Sequence, residues 1–287
     1  MADIKFFYKG SEVTTKQLDE IIKKHRHSDD SDLFKSTITI TFSESVENHV
    51  GMQIIGKKCE QGFTCDDLHN YEKIFQKDGL TCEYHDLVPY LKKPLKIEGS
   101  AAILIVRNFL DGFTDTDKNS MYNELNSLNW DTKAFIRGKV VNKKARYNLC
   151  FADEDQSACY EEGKGTVVSF KKLHHLSDCR DILHKKLGGK AENLYAEGNL
   201  YYDTKECYIG FHGDAERKKV IALRLGASYP LFYKWFHRSE SVSETVRLDI
   251  NHGDLYIMSE IATGNNWKKQ IIPTLRHAAG EKALTIK

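Results

Sequence analysis

Tyr208-Ile209-Gly210-Phe211-His212-Gly213-Asp214-Ala215-Glu216-Arg217 runs through two lysines into the alternating stretch Val220-Ile221-Ala222-Leu223-Arg224-Leu225. Side chains two apart on an extended backbone point to one side, so His212 and Asp214 can offer an imidazole nitrogen and a carboxylate oxygen to a single cation. Gly213 lets the backbone crowd past that cation. One more histidine would complete a set of two histidines and one carboxylate, leaving coordination positions open for a chelating co-substrate and dioxygen. His277, in Thr274-Leu275-Arg276-His277-Ala278, is the candidate. A second copy of the tripeptide, His252-Gly253-Asp254, bridges two strand-like runs as a hairpin turn does and is assigned to structure.

Strand-like segments crowd around this motif, near 195–202, 206–211, 219–225, 229–236, 245–250, 254–259 and 283–287. Many short strands separated by turn residues indicate a sandwich or barrel. In a folded-over double sheet, the His212-Asp214 pair and His277 can be neighbours. Upstream, 101–106 reads as a buried strand, and a helix capped by Thr116 or Asp117 runs through Met121 to Trp130. Another helix begins at Leu176 and ends at Gly188-Gly189.

Residues 1–97 read as a separate accessory α+β unit of unassigned role. Thr14 or Thr15 caps a helix over 16–22, the stretch 36–42 alternates with period two, and Cys65 opens a second helix that Gly79 ends. Lys92-Lys93-Pro94-Leu95-Lys96 is the expected boundary, with the catalytic domain over 98–287. His49 has no acidic or thiol partner at ligand spacing and is read as structural.

At 287 residues the chain can bury a sizeable core, and its net charge of +1 excludes a protein that coats nucleic acid non-specifically. Seven cysteines without a Cys-x-x-Cys pair argue against a disulfide framework and a structural zinc site. No apolar run approaches the ~18 residues of a membrane span, so an intracellular protein, cytoplasmic or nuclear, with no membrane partner is expected. Oligomeric state is left open.

A chelating 2-oxoglutarate would need a cation for its distal carboxylate, and Lys282 and Lys287 flank the strand-like 283–287. Asn199 and Tyr201 could offer an amide and a phenol to the same ligand. Residues 131–150 are locally basic, with Lys139, Lys143 and Arg146 interleaved among Phe135 and Tyr147. Cations hold phosphate and rings stack on bases, so this segment suits a nucleic acid.

From about Ile103 to Lys287 the chain resembles the AlkB-like iron(II)- and 2-oxoglutarate-dependent oxygenases. The residues that carry the resemblance are Val106-Arg107-Asn108-Phe109-Leu110, Asn199-Leu200-Tyr201, the turn from Ile209 to Glu216, Leu223-Arg224-Leu225-Gly226, and the run from His252 to Ser259. The last strand departs from the family, which usually carries two arginines where this chain has Lys282 and Lys287. The resemblance implies a double-stranded β-helix (jelly-roll) core with flanking helices, Fe(II) held by His212, Asp214 and His277, and 2-oxoglutarate bound by Asn199, Tyr201, Lys282 and Lys287. It also implies oxidative demethylation of alkylated or methylated nucleobases, with Lys139, Lys143, Arg146, Glu216 and Arg217 on the substrate. The alternative is a hydroxylase or demethylase of a protein side chain.

Overall fold

A computed structural model describes residues 34–112 and 117–285, together with two short strands, β1 (Phe6–Tyr8) and β2 (Ser11–Val13), which pair with each other. The helix expected over 16–22, with its cap at Thr14 or Thr15, lies outside the described residues, as do Thr116 and Lys287.

From residue 34 the chain forms β3 (Thr37–Ser43), β4 (Ser45–Glu47), β5 (Ile54–Gly56), α1 (Cys65–Lys77), β6 (Cys82–Asp86), β7 (Ala102–Val106), α2 (Lys118–Asn126), β8 (Lys133–Ile136) and β9 (Lys139–Asn142). It continues through β10 (Tyr147–Ala152), β11 (Val167–Ser169), α3 (His174–Leu187), β12 (Tyr195–Tyr201), β13 (Ile209–His212), β14 (Val220–Gly226), β15 (Tyr229–His237), β16 (Glu240–Ser241), β17 (Val246–Ile250), β18 (Leu255–Met258) and β19 (Thr274–Ala279). An eight-stranded sheet has the order β11-β10-β12-β3-β14-β18-β7-β6, antiparallel except for β10 with β11. A five-stranded antiparallel sheet has the order β13-β19-β15-β16, with β17 also on β15. The protein is therefore mostly β, with a few helices.

Alternation along each strand of the large sheet divides its two faces. Ile38, Ile40 and Phe42 of β3, Ile221, Leu223 and Leu225 of β14, and Leu255 and Ile257 of β18 share one core with Leu68 and Phe75 of α1, Met121 of α2 and Leu183 of α3. The opposite phase, with Ile103, Ile105, Val220, Ala222, Tyr256 and Met258, packs against Leu231, Tyr233 and Trp235 of β15 and Leu275 of β19. Helices cover one face and the small sheet the other, in a sandwich-like stack. α1 starts where Thr64 accepts from the Asp67 amide while Asp67 accepts from the Thr64 amide, a capping box that satisfies two otherwise orphaned donors. Asp117 caps α2, which ends at Asn126, short of the expected Trp130.

Two expectations are corrected. The boundary near 92–96 separates nothing in the large sheet: β3 lies between β12 and β14, and β6 pairs with β7, so 37–86 belongs to the same structure as the strands that follow. The strand expected over 283–287 is not formed where the chain is described: the last strand among the described residues is β19, which ends before Gly280 at φ +88°, and Glu281–Leu284 forms a short 3-10 turn. All seven cysteines are free, and among the described residues no helix is long and apolar enough to cross a membrane.

Candidate metal centre

β13 pairs with β19 such that His212 stands opposite His277. Their rings are 4.4 Å apart, and Nε2 of His212 and of His277 lie 3.5 and 3.6 Å from Oδ1 of Asp214. One ligand atom from each of the three falls within 4.8 Å of the others, the spacing of a common cation. The turn that presents them is held by backbone contact. The Asp214 amide donates to the Thr263 carbonyl at 2.9 Å, and a Cβ on Gly213 would come within 2.1 Å of the Gly264 carbonyl oxygen, so no larger residue fits there.

The protonation and orientation of the three side chains are compatible with holding a metal. His212 Nδ1 donates to the Gly210 carbonyl at 2.8 Å, which leaves the Nε2 lone pair directed at Asp214. Burial pushes His277 down to about 4, so its ring is neutral near pH 7; its Nδ1 faces the Ala262 carbonyl without closing a normal hydrogen bond. Burial alone would raise the Asp214 carboxyl, but Arg217 and the two imidazoles outweigh it and hold the group well below the usual carboxylate range. Arg217, itself buried, donates to Glu197 at 2.5 Å and to Glu216 at 2.7 Å, and lies 3.8 Å from Asp214. One guanidinium thus faces three carboxylates. A divalent cation between His212, Asp214 and His277 would neutralise the surplus, so the residues present fit the ion that the resemblance implies.

The three ligands form one wall of a cavity between the sheets. Thr39, Asn199, Tyr201, Arg224 and Tyr256 of the large sheet line the other. Arg224 is the residue that sequence reasoning missed. It is 1% exposed, donates to Thr39 Oγ1 at 2.5 Å and lies 5.3 Å from the Tyr229 ring. Its Nε has no partner, and among the described residues no carboxylate ion-pairs with it. The signal was its phase: a charge in step with Val220 and Ala222 in an otherwise apolar strand must point where those residues point. A second omission is Glu47 on β4, whose carboxyl is pushed up to about 7 by burial and by Glu216 and Glu197.

The remaining expected residues divide. Asn199 and Tyr201 do face the cavity, but the Asn199 carbonyl oxygen already accepts from Arg146 and Asn148, each at 2.7 Å. Lys282 faces solvent on the closing turn and pairs with Glu206, away from the cavity, because Glu281–Leu284 forms a 3-10 turn in place of the expected strand. Lys143 turns inward to Asn48 at 2.6 Å, and burial pushes it down to about 8. Arg146 is likewise tied to a neutral amide, that of Asn199, and Arg217 lies in its acidic cluster, so all three are drawn toward the protein rather than extended into solvent. Glu216 is half-buried against Arg217, and Lys139 is exposed on the β8–β9 hairpin. His252 is buried, accepts from the Gly226 amide at 2.9 Å and contacts Asn119, as a turn histidine does.

What these features define is a two-sheet protein with a cavity lined by a two-histidine, one-carboxylate cluster from the small sheet and its following turn and by a buried arginine from the large sheet. No family model matches the chain. It is 45% identical over 247 residues to the uncharacterized protein R156 of Acanthamoeba polyphaga mimivirus, an alignment that covers 86% of this chain and 96% of the viral one. The chain belongs to the same family as that viral protein.

Proposed function

We propose that the chain is an iron(II)- and 2-oxoglutarate-dependent dioxygenase of the AlkB-like type, that its two sheets form a double-stranded β-helix, and that it demethylates alkylated or methylated nucleobases. The observation that carries the oxygenase reading is the pairing, across one cavity, of His212, Asp214 and His277 with an arginine that has no carboxylate of its own. In this reading the triad holds iron(II), and Arg224, helped by the Thr39 hydroxyl, receives the distal carboxylate of 2-oxoglutarate. Asn199 and Tyr201 form the wall beside that ligand. When bound, iron and 2-oxoglutarate supply the means to hydroxylate a C–H bond with dioxygen, and hydroxylation of an N-methyl group releases formaldehyde.

The chain's own residues do the positioning. Gly210 fixes the tautomer of His212, Arg217 orients Asp214 and Glu197, and the packed interface between the sheets keeps water from the far end of the cavity. Glu197 in the wall pairs with Arg217, which holds the guanidinium beside Asp214. The inward ties of Lys143, Arg146 and Arg217 favour a second reading, a cationic protein side chain as substrate. The test is to supply the protein with iron(II) and 2-oxoglutarate and follow succinate, then search by mass spectrometry for demethylated product among N-methylated oligonucleotides and methylated peptides. Lack of succinate from the wild-type protein under every condition would refute the oxygenase reading.

A further inference from the structure

The outer face of the small sheet, behind the candidate metal centre, carries cations that no carboxylate among the described residues neutralises. On β15 and β19, Lys234 stands directly opposite Arg276, in the register that places His277 opposite Tyr233 on the inner face. Like charges facing each other across two strands repel, so sheets ordinarily place an opposite charge there. Here each cation rests on aromatic rings. The Lys234 ammonium is 5.1 Å from the Phe211 ring, and the Arg276 guanidinium is 4.2 Å from Phe236 and 5.2 Å from Trp267. Lys268 lies on Trp267 at 5.8 Å. Rings hold a guanidinium flat and ordered without cancelling its charge.

The opposite end of the same face is neutralised. Arg247, opposite Phe232 on β17, pairs with Asp249 and Glu281. Among the described residues, Lys234, Arg276 and Lys268 have no carboxylate within ion-pairing distance, and Glu240 of β16 stands opposite His237, in the other phase. β13 is the edge strand of this sheet. Its Phe211 belongs to the aromatic face, and the next residue, His212, is a ligand of the metal centre.

We propose that this face is a landing surface for a single-stranded nucleic acid, with phosphates on Lys234, Arg276 and Lys268 and bases against Phe211, Phe236 and Trp267. Unneutralised cations alternating with rings match alternating phosphates and bases, a pattern that an acidic peptide lacks. A strand lying there reaches the metal centre by bending over the β13 edge. The proposal deepens the nucleobase reading and rests on it for the choice of partner.

The experiment uses the full chain, freed of metal with EDTA, and a fluorescein-labelled oligo-dT of about 15 nucleotides, with anisotropy read across a series of salt concentrations. Binding that weakens with salt is expected. The double variant Lys234→Gln/Arg276→Gln should bind about tenfold more weakly at low salt, with the logarithmic salt slope reduced by roughly 1 to 1.5, as loss of two phosphate contacts on a single strand requires. Lys268→Gln, on a loop, provides a second variant whose folding is not in question and should weaken binding about threefold. No binding by the wild type, an unchanged slope in both variants, or equal competition by polyglutamate or by phosphatidylserine vesicles would each overturn the proposal. Because metal-free protein is used, the outcome is independent of succinate formation, by which the oxygenase reading stands or fails.

Discussion

Arg217 and Arg224 belong to the same stretch of chain, line the same cavity and are almost sealed from solvent, at 4% and 1% exposure, yet their surroundings are opposite. Arg217 is saturated by Glu197 and Glu216 and reaches toward Asp214. Arg224 has one hydroxyl, one aromatic ring and an unbonded Nε. A buried charge is expensive unless it is paired, and half-buried Arg107, paired with Glu83 and Asp254, follows that rule. The cavity lining therefore holds two kinds of charge: carboxylates in excess around Arg217, and at Arg224 a cation with no carboxylate among the described residues. That pairing suits a ligand that chelates a metal through one end and carries an anion at the other.

The largest expected effect comes from breaking the ligand cluster. His212→Ala, Asp214→Ala or His277→Ala removes one of three ligands, and each should abolish both iron retention, measured by metal analysis of dialysed protein, and succinate formation. Retention of stoichiometric iron by His277→Ala would show that the three side chains do not act as one centre.

Next in size are the two arginines themselves, for which changes in stability of opposite sign are expected. Arg217→Met leaves Glu197 and Glu216 buried without a counter-charge and should cost about 3–5 kcal/mol in denaturant unfolding. Arg224→Met removes a charge that no carboxylate among the described residues neutralises, so in ligand-free protein it should be neutral or stabilising. On the proposed function, 2-oxoglutarate should raise the Tm of the wild type, and the same variant should abolish that shift and raise the KM for 2-oxoglutarate about a hundredfold. If both variants destabilise alike, the contrast between the arginines is false.

Glu47 extends the acidic cluster and gives a smaller effect, visible in the pH dependence. Burial raises its carboxyl to about 7, with Glu216 and Glu197 adding to the shift and Arg217 and the Gly51 amide opposing it. The folded protein then holds this proton more tightly than the unfolded chain does. The stabilisation it gives is complete below about pH 4.5 and is lost as pH rises toward 7. Glu47→Gln should match the wild type at the acid end of that window and exceed it at pH 8, by an amount on the order of 1 kcal/mol after allowance for solvent screening. Parallel Tm curves for the two proteins across pH 4.5–8 would contradict this assignment.

Legibility in the sequence followed local periodicity and failed where distant contact decides. The alternation over 36–42 identified β3, and the spacing of His212 and Asp214 marked two ligands on one side of the chain. The phase of Arg224 was equally visible, but without a second sheet to face, a lone arginine among apolar residues resembles any edge position. Lys92-Lys93-Pro94 has the composition of a linker, and only the pairing of β3 with strands from the other end of the chain shows that it is a turn within one structure. Lys143 and Arg146 lie in a basic run whose composition favours solvent, yet Asn48 and Asn199 draw them inward.

The smallest effect sharpens the comparison by its absence. Lys282 is one of two cations, with Lys287, that the sequence offers for the ligand's carboxylate on the premise that 283–287 is extended, and Lys287 lies outside the described residues. Gly280 turns the chain at φ +88° immediately after β19, and the 3-10 turn that follows carries Lys282 out to Glu206 on the surface. An exposed pair of this kind is solvated whether or not it forms, so removing it exposes no orphaned charge. Lys282→Ala should therefore leave the KM for 2-oxoglutarate within about twofold of the wild type, where Arg224→Met changes it by about two orders of magnitude. A large KM effect at Lys282 with none at Arg224 would return the anion to the closing segment and leave the buried arginine without a role.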